Sequence, residues 1–121
     1  MLKKALCCIL LASLISTTAY AGVIVTTPID QMTTEELFQA GISAYDQGEY
    51  GKAAEYYALA SDQGDAEAQE ALGLMYYYGQ GVEQDYEKAA KYYRQAAEMG
   101  VEMAEEALKR LGDEGKISAA E

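Results

Sequence analysis

The 121-residue chain contains no histidine and no tryptophan, one proline, one phenylalanine and two cysteines. Both cysteines, Cys7 and Cys8, stand near the start. The remainder therefore lacks the usual zinc ligands and the residues of His-assisted nucleophiles. No stretch alternates oxygen ligands in the manner of a calcium loop. No metal and no cofactor are expected. Basic residues are also scarce, with 9 Lys and Arg against 20 Asp and Glu, a net charge of −11. Such a body is a poor partner for nucleic acid and for anionic lipid. A cationic peptide or a basic protein face suits it better, although acidity also serves solubility alone. A long hydrophobic run is missing too. Ala5 to Ile15 is apolar but too short to span a bilayer.

That short run has a different reading. Lys3 and Lys4 precede it, and the small-x-small site Ala19-Tyr20-Ala21 follows. Together they form a signal peptide over 1–21, with cleavage between Ala21 and Gly22. An uncleaved anchor is the alternative. A lipoprotein would need a cysteine after the apolar core, and Cys7 and Cys8 come too early. Export leads to the periplasm or beyond, with no membrane attachment after cleavage. The exported remainder has no cysteine, so a hydrophobic core must hold it without disulfides. Lys3 and Lys4 leave with the signal, which makes that remainder more acidic still.

Residues 22–32, with the single proline Pro28, read as an extended leader. From Thr33 the period becomes helical. Thr33 and Glu36 have capping-box spacing, and Phe38, Gly41, Ile42 and Tyr45 follow at helical intervals. A second helix carries the stripe Tyr50, Ala53, Ala54, Tyr57 and Ala60 and ends at Gly64. Asp65 can cap a third helix, about Ala66 to Tyr78, with Ala68, Ala71, Leu72, Met75 and Tyr76 on one face. Asp85 can cap a fourth, carrying Tyr86, Ala89, Ala90, Tyr93, Ala96 and Ala97 up to Gly100. A fifth runs from about Glu102 to Leu111 and stops at Gly112.

The second and fourth helices repeat one another. Tyr50, Lys52, Ala53, Ala54, Tyr56, Tyr57, Ala60 and Gly64 return as Tyr86, Lys88, Ala89, Ala90, Tyr92, Tyr93, Ala96 and Gly100. Ala68, Ala71 and Leu72 return as Ala104, Ala107 and Leu108. Every pair shares one offset. A constant period of this size marks a stacked helical array. Alanines let helices approach closely, and tyrosines fill the space between them. One helix pair cannot bury its stripe alone; the next pair covers it.

The stretch Leu72 to Ala104 resembles a Sel-one-like repeat. It supplies Leu72, Gly73, Tyr76, Gly79, Gly81, Val82, Asp85, Lys88, Ala89, Tyr92, Tyr93, Ala96, Ala97 and Gly100 in the family's order. Tyr92 departs mildly, since the family often has Trp there. The first unit lacks the four-residue turn extension and is similar to the tetratricopeptide pattern, through Gly41, Ala44, Gly48, Tyr50, Ala53, Tyr57 and Ala60. Asp65 stands where that pattern often has proline. The resemblance implies an all-α fold, a short right-handed α-solenoid of stacked antiparallel helix pairs with about five helices. Its divisions are a tetratricopeptide-like pair over 33–66, a Sel-one-like repeat over 67–100, a capping helix over 101–112 and a flexible tail over 113–121. Lys109 replaces the repeat glycine, as suits a terminal cap. So short an array is expected to be a monomer or a weak dimer.

The turn "GQGVEQD" then joins two helices, with glycines for unusual backbone angles and Val82 as its plug. A phosphate loop would need Lys and Ser/Thr after the last glycine, and Glu83, Gln84 and Asp85 stand there instead. The acids Asp65, Glu67 and Glu70, and Glu102, Glu105 and Glu106, can pair for glycosidase chemistry, but first-turn acids commonly complement a helix dipole. Tyr76, Tyr77 and Tyr78 project about 100° apart on a helix, so they cannot all enter the core. Arrays of the resembled type bind peptides on their concave face. Carried over by position, that face holds Phe38, Ile42, Tyr45, Asp46, Glu70, Leu74, Tyr77, Tyr78 and Arg110. Exposed aromatics among acids suit a basic or amphipathic segment. Some of these side chains can instead pack against the leader or the tail. The reading is an exported bacterial adaptor, scaffold or regulator that binds protein and is not an enzyme. A secreted factor acting on a host protein is the alternative. Some cysteine-rich relatives are labelled β-lactamases. This chain lacks their disulfides, the S-x-x-K nucleophile and zinc ligands.

Overall fold

The structure, a computed structural model, describes residues 27–118. The signal segment with its Ala21–Gly22 site, the leader up to residue 26 and the last three residues lie outside the described residues. The chain divides after Gln31. Of the first unit, residues 27–31 are described; Ile29–Gln31 form one 3₁₀ turn, and the Gln31 N–H donates to the Pro28 carbonyl at 2.8 Å.

The second unit is all-α among its described residues. It contains α1 (Thr34–Asp46), α2 (Tyr50–Asp62), α3 (Ala66–Tyr78), α4 (Tyr86–Glu98) and α5 (Glu102–Asp113). Each helix packs on the next: α1 on α2, α2 on α3, α3 on α4 and α4 on α5. Two helix pairs and a closing helix make a short α-solenoid.

The ends of these helices follow from local chemistry. Thr33 accepts from the Glu36 N–H at 3.2 Å, while its own N–H donates to the Glu36 carboxylate at 2.8 Å. This closes a capping box on α1. Asp65 caps α3 by accepting from the Ala68 N–H at 2.9 Å, and Asp85 caps α4 through the Lys88 N–H at 3.1 Å. The stops repeat as well. Gly64 and Gly100 adopt φ values of 91° and 92°, and in both places the following N–H returns to an alanine carbonyl at 3.1 Å, Asp65 to Ala60 and Val101 to Ala96. A left-handed residue at each stop explains glycine there.

One contact recurs in both pairs and sets how closely the helices approach. Tyr57 lies over Gly41, and Tyr93 lies over Gly73. A Cβ at Gly41 would meet Tyr57 Cε1 at 2.5 Å, and one at Gly73 would meet Tyr93 Cε1 at 2.6 Å. The glycines are therefore seats for tyrosine rings. Around them Ala53, Ala60, Ala68, Ala89, Ala90, Ala96 and Ala104 are completely buried. The first core gathers Leu37, Tyr57, Leu72 and Met75; the second gathers Tyr93, Ala104 and Leu111. Burying each large side chain contributes roughly 1.5–3 kcal/mol. Tyr76 touches both cores and stacks on Tyr92, with centroids 5.6 Å apart and planes 10° apart.

The α1–α2 connection is Gln47–Glu49, whereas α3–α4 needs Gly79–Asp85. The longer turn fastens one pair to the other. Gly81, at φ 70°, abuts the Tyr50 carbonyl so closely that a Cβ there would overlap it. The Tyr45 hydroxyl donates to the Gln80 side-chain oxygen at 3.1 Å, and Val82 packs against the first core. The Asp85 N–H closes the turn onto the Tyr76 carbonyl at 3.0 Å.

Candidate functional site

The sequence-derived candidates separate into two groups. Phe38, Ile42 and Tyr45 are half-buried and pack against the first core. Phe38 tilts onto Tyr57 at 5.7 Å, and Tyr45 sets its edge against Tyr50 at 4.9 Å. Asp46 is exposed at the end of α1. These four residues stand apart from the groove that the other five share.

Glu70, Leu74, Tyr77 and Tyr78 lie along one face of α3, at helical spacing. Met103, Glu106, Ala107 and Arg110 lie along the facing side of α5 at the same spacing. Between them, with the buried Tyr93 among its lining residues, is a groove of about 130 Å³. Sequence reasoning found Arg110 on α5 but missed Met103, Glu106 and Ala107. The signal was present: these three precede Arg110 by seven, four and three residues and must share its face.

The groove is apolar with charge at its margins. Leu74, Tyr78 and Met103 are 43%, 61% and 68% exposed, so its most apolar residues meet solvent. Burial pushes the Glu70 carboxyl above the ordinary carboxylate range, and Glu67 nearby pushes it further. No ion pair within the described residues compensates Glu70. A half-buried carboxylate in that position gains from an incoming cation. Arg110 reaches Glu106 at 3.5 Å, but both side chains are well exposed and the pair is weak.

Tyr77 has a second environment. Its hydroxyl donates to the Glu114 carboxylate at 3.1 Å and accepts from Lys116 at 2.8 Å. Its ring meets Tyr86 edge-on at 5.4 Å and Tyr78 at 4.8 Å. Glu114 lies just beyond α5, and Gly115, at φ 67°, turns the chain so that Lys116 folds back. Ile117 anchors this turn on the second core. Among the described residues, no group of three or more His, Cys, Asp or Glu is placed to hold a metal ion. No helix there is long and apolar enough to cross a membrane.

Residues 37–65 and 66–101 each match the Sel1 repeat, and the two matches cover more than half of the chain. Among solved structures, a protective antigen present in uropathogenic Escherichia coli strains and displaying an SLR fold is similar at 30% identity and TM-score 0.70. The similarity covers 76% of this chain and 21% of that one. A Sel1 repeat protein from Oxalobacter formigenes is similar at 34% identity and TM-score 0.66, over 75% of this chain and 39% of that one. The chain thus spans well under half the length of either. No curated protein matches it. The chain belongs to the Sel1 repeat family, whose helical repeats generally mediate protein–protein interaction.

Proposed function

We propose that this Sel1 repeat chain binds a partner protein in the groove between α3 and α5, and that it does so after export. The observation that carries the reading is the groove itself: exposed Leu74, Tyr78 and Met103 beside the uncompensated Glu70. An apolar surface with an unpaired acid at its margin suits an amphipathic segment that carries a basic residue. The repeat supplies a rigid frame, and the work is recognition without bond chemistry. Export rests on the reading of residues 1–21 as a signal segment. The partner then sits in the periplasm or outside the cell.

A photo-crosslinking residue at Leu74 tests the surface, with the exposed Lys91 on α4 as the comparison. Selective capture of one protein at Leu74, abolished by Met103→Asp, is the expected result. Equal capture at both positions removes the groove from the reading. Cell fractionation with and without residues 2–21 tests export separately. A second reading, a secreted factor acting on a host protein, is favoured by the likeness to a protective antigen. Recovery of the protein in the medium rather than the periplasm would support it.

A further inference from the structure

We propose that Tyr77, Tyr86 and Glu114 form a seat for an alkylammonium group, filled here by Lys116, which a lysine side chain of a bound partner takes over. The Lys116 ammonium lies 4.5 Å from the Tyr77 ring centroid and 4.7 Å from that of Tyr86. It pairs with the Glu114 carboxylate at 2.8 Å and donates to the Tyr77 hydroxyl at 2.8 Å. The Tyr86 ring, the Glu114 carboxylate and the Tyr77 hydroxyl oxygen thus surround one cation, which sits at the hydroxyl end of Tyr77. Each of these groups attracts an ammonium, and the ring favours it most when water is partly excluded.

The corner does not depend on Lys116 for its shape. Tyr77 and Tyr86 meet at 63°. The Gln84 amide donates to the Tyr86 hydroxyl at 3.1 Å and to the Tyr77 carbonyl at 2.8 Å. Ile117 and the bond from the Lys116 N–H to the Leu111 carbonyl at 3.0 Å hold the turn without the lysine side chain. The seat therefore stays assembled when the ammonium leaves. Exchange from solvent is open, because 29% of the Lys116 side chain and 38% of that of Glu114 are exposed.

The occupant follows from charge and position. The chain carries a net charge of −11, so a partner face is drawn to it by positive charge. Tyr77 belongs to both the seat and the groove. A segment lying in the groove can therefore present a lysine to the seat, with Lys116 released to solvent. Assigning that lysine to a partner rests on the groove reading; the seat rests on its own contacts.

Capped lysine (N-acetyl-lysine methylamide) is the probe, titrated into the purified protein and followed by proton NMR. In the unaltered protein the Lys116 ε-methylene protons should resonate upfield beside the Tyr86 ring and move toward free-lysine values as the probe is added. Lys116→Met should bind the probe about five times more tightly than the parent, since it removes the internal competitor. Capped norleucine, which has the stem without the charge, should not bind. Tyr86→Leu in the Lys116→Met background should weaken the probe by about tenfold. Unshifted Lys116 protons in the unaltered protein would overturn the seat. So would equal binding of capped norleucine, or failure of a folded Lys116→Met protein to bind capped lysine. A seat that fills with capped lysine while the Leu74 crosslinker captures nothing would retain the seat and remove the groove partner.

Discussion

Replacing Gly73 by alanine probes the contact that sets the helix spacing. The new Cβ would sit 2.6, 2.7 and 3.0 Å from Cε1, Cδ1 and Cζ of Tyr93. Tyr93 is 2% exposed, so its ring is held within the core. Overpacking of this kind costs about 1–3 kcal/mol. Alanine returns up to about 1 kcal/mol through helix propensity and lower unfolded-state entropy. The net loss should be about 1–2 kcal/mol, or roughly 5–15 °C in melting temperature for a domain of this size. Gly51→Ala is the internal control, because nothing lies within 4 Å of its Cβ, and it should be neutral or stabilising. Urea denaturation of the parent and both variants measures the differences. Tyr93→Leu removes the obstructing ring, so in that background Gly73→Ala should cost at least about 1 kcal/mol less. A Gly73→Ala protein as stable as the parent would refute the interlock. The same substitution at Gly41, beneath Tyr57, should behave alike.

Gly81→Ala should be more damaging, by about 2 kcal/mol or more, because a positive φ and overlap with the Tyr50 carbonyl act together; thermal denaturation checks it. Thr33→Ala should cost about 1 kcal/mol by opening the capping box on α1, measured by urea denaturation. Hydrogen bonds from Thr33, the backbone one first, hold the Glu36 carboxyl below its ordinary range. A depressed folded-state value means that this stabilisation is full above the unfolded carboxylate range and is lost as pH falls through the folded value. Alanine keeps the backbone bond and loses only the hydroxyl one, so the difference between parent and Thr33→Ala should shrink in acid by that smaller part. Gln69→Met should raise stability by about 1 kcal/mol, since the Gln69 side-chain oxygen is buried without a hydrogen-bond partner; a lower melting temperature would contradict that account.

The candidate site was half legible. Five of the nine carried-over residues meet at one groove, because α3 presents Glu70, Leu74, Tyr77 and Tyr78 on a single face whose spacing is visible in the chain. Phe38, Ile42 and Tyr45 have the same kind of spacing on α1, yet pack against the first core. Periodicity identifies a face; it does not say what will cover that face. The cover depends on the helix crossing and on the longer turn that brings Gln80 to Tyr45, 35 residues away.

The helices and their repetition are written in local residue patterns. Caps such as Thr33 with Glu36, and stops such as Gly64 and Gly100, act within one turn of chain, so neighbouring residues contain all the physics required. The shared offset of the tyrosines and alanines likewise dictated that helix pairs stack, because no single pair can bury its own stripe. Which tyrosine does what depends on long-range packing. Tyr76, Tyr77 and Tyr78 are chemically identical neighbours. One stacks between the cores, one holds Lys116 from 39 residues away, and one is left 61% exposed beside the groove. Those fates depend on where α4, α5 and the turn after α5 return in space. A local sequence signal sets only the direction in which each ring leaves its helix.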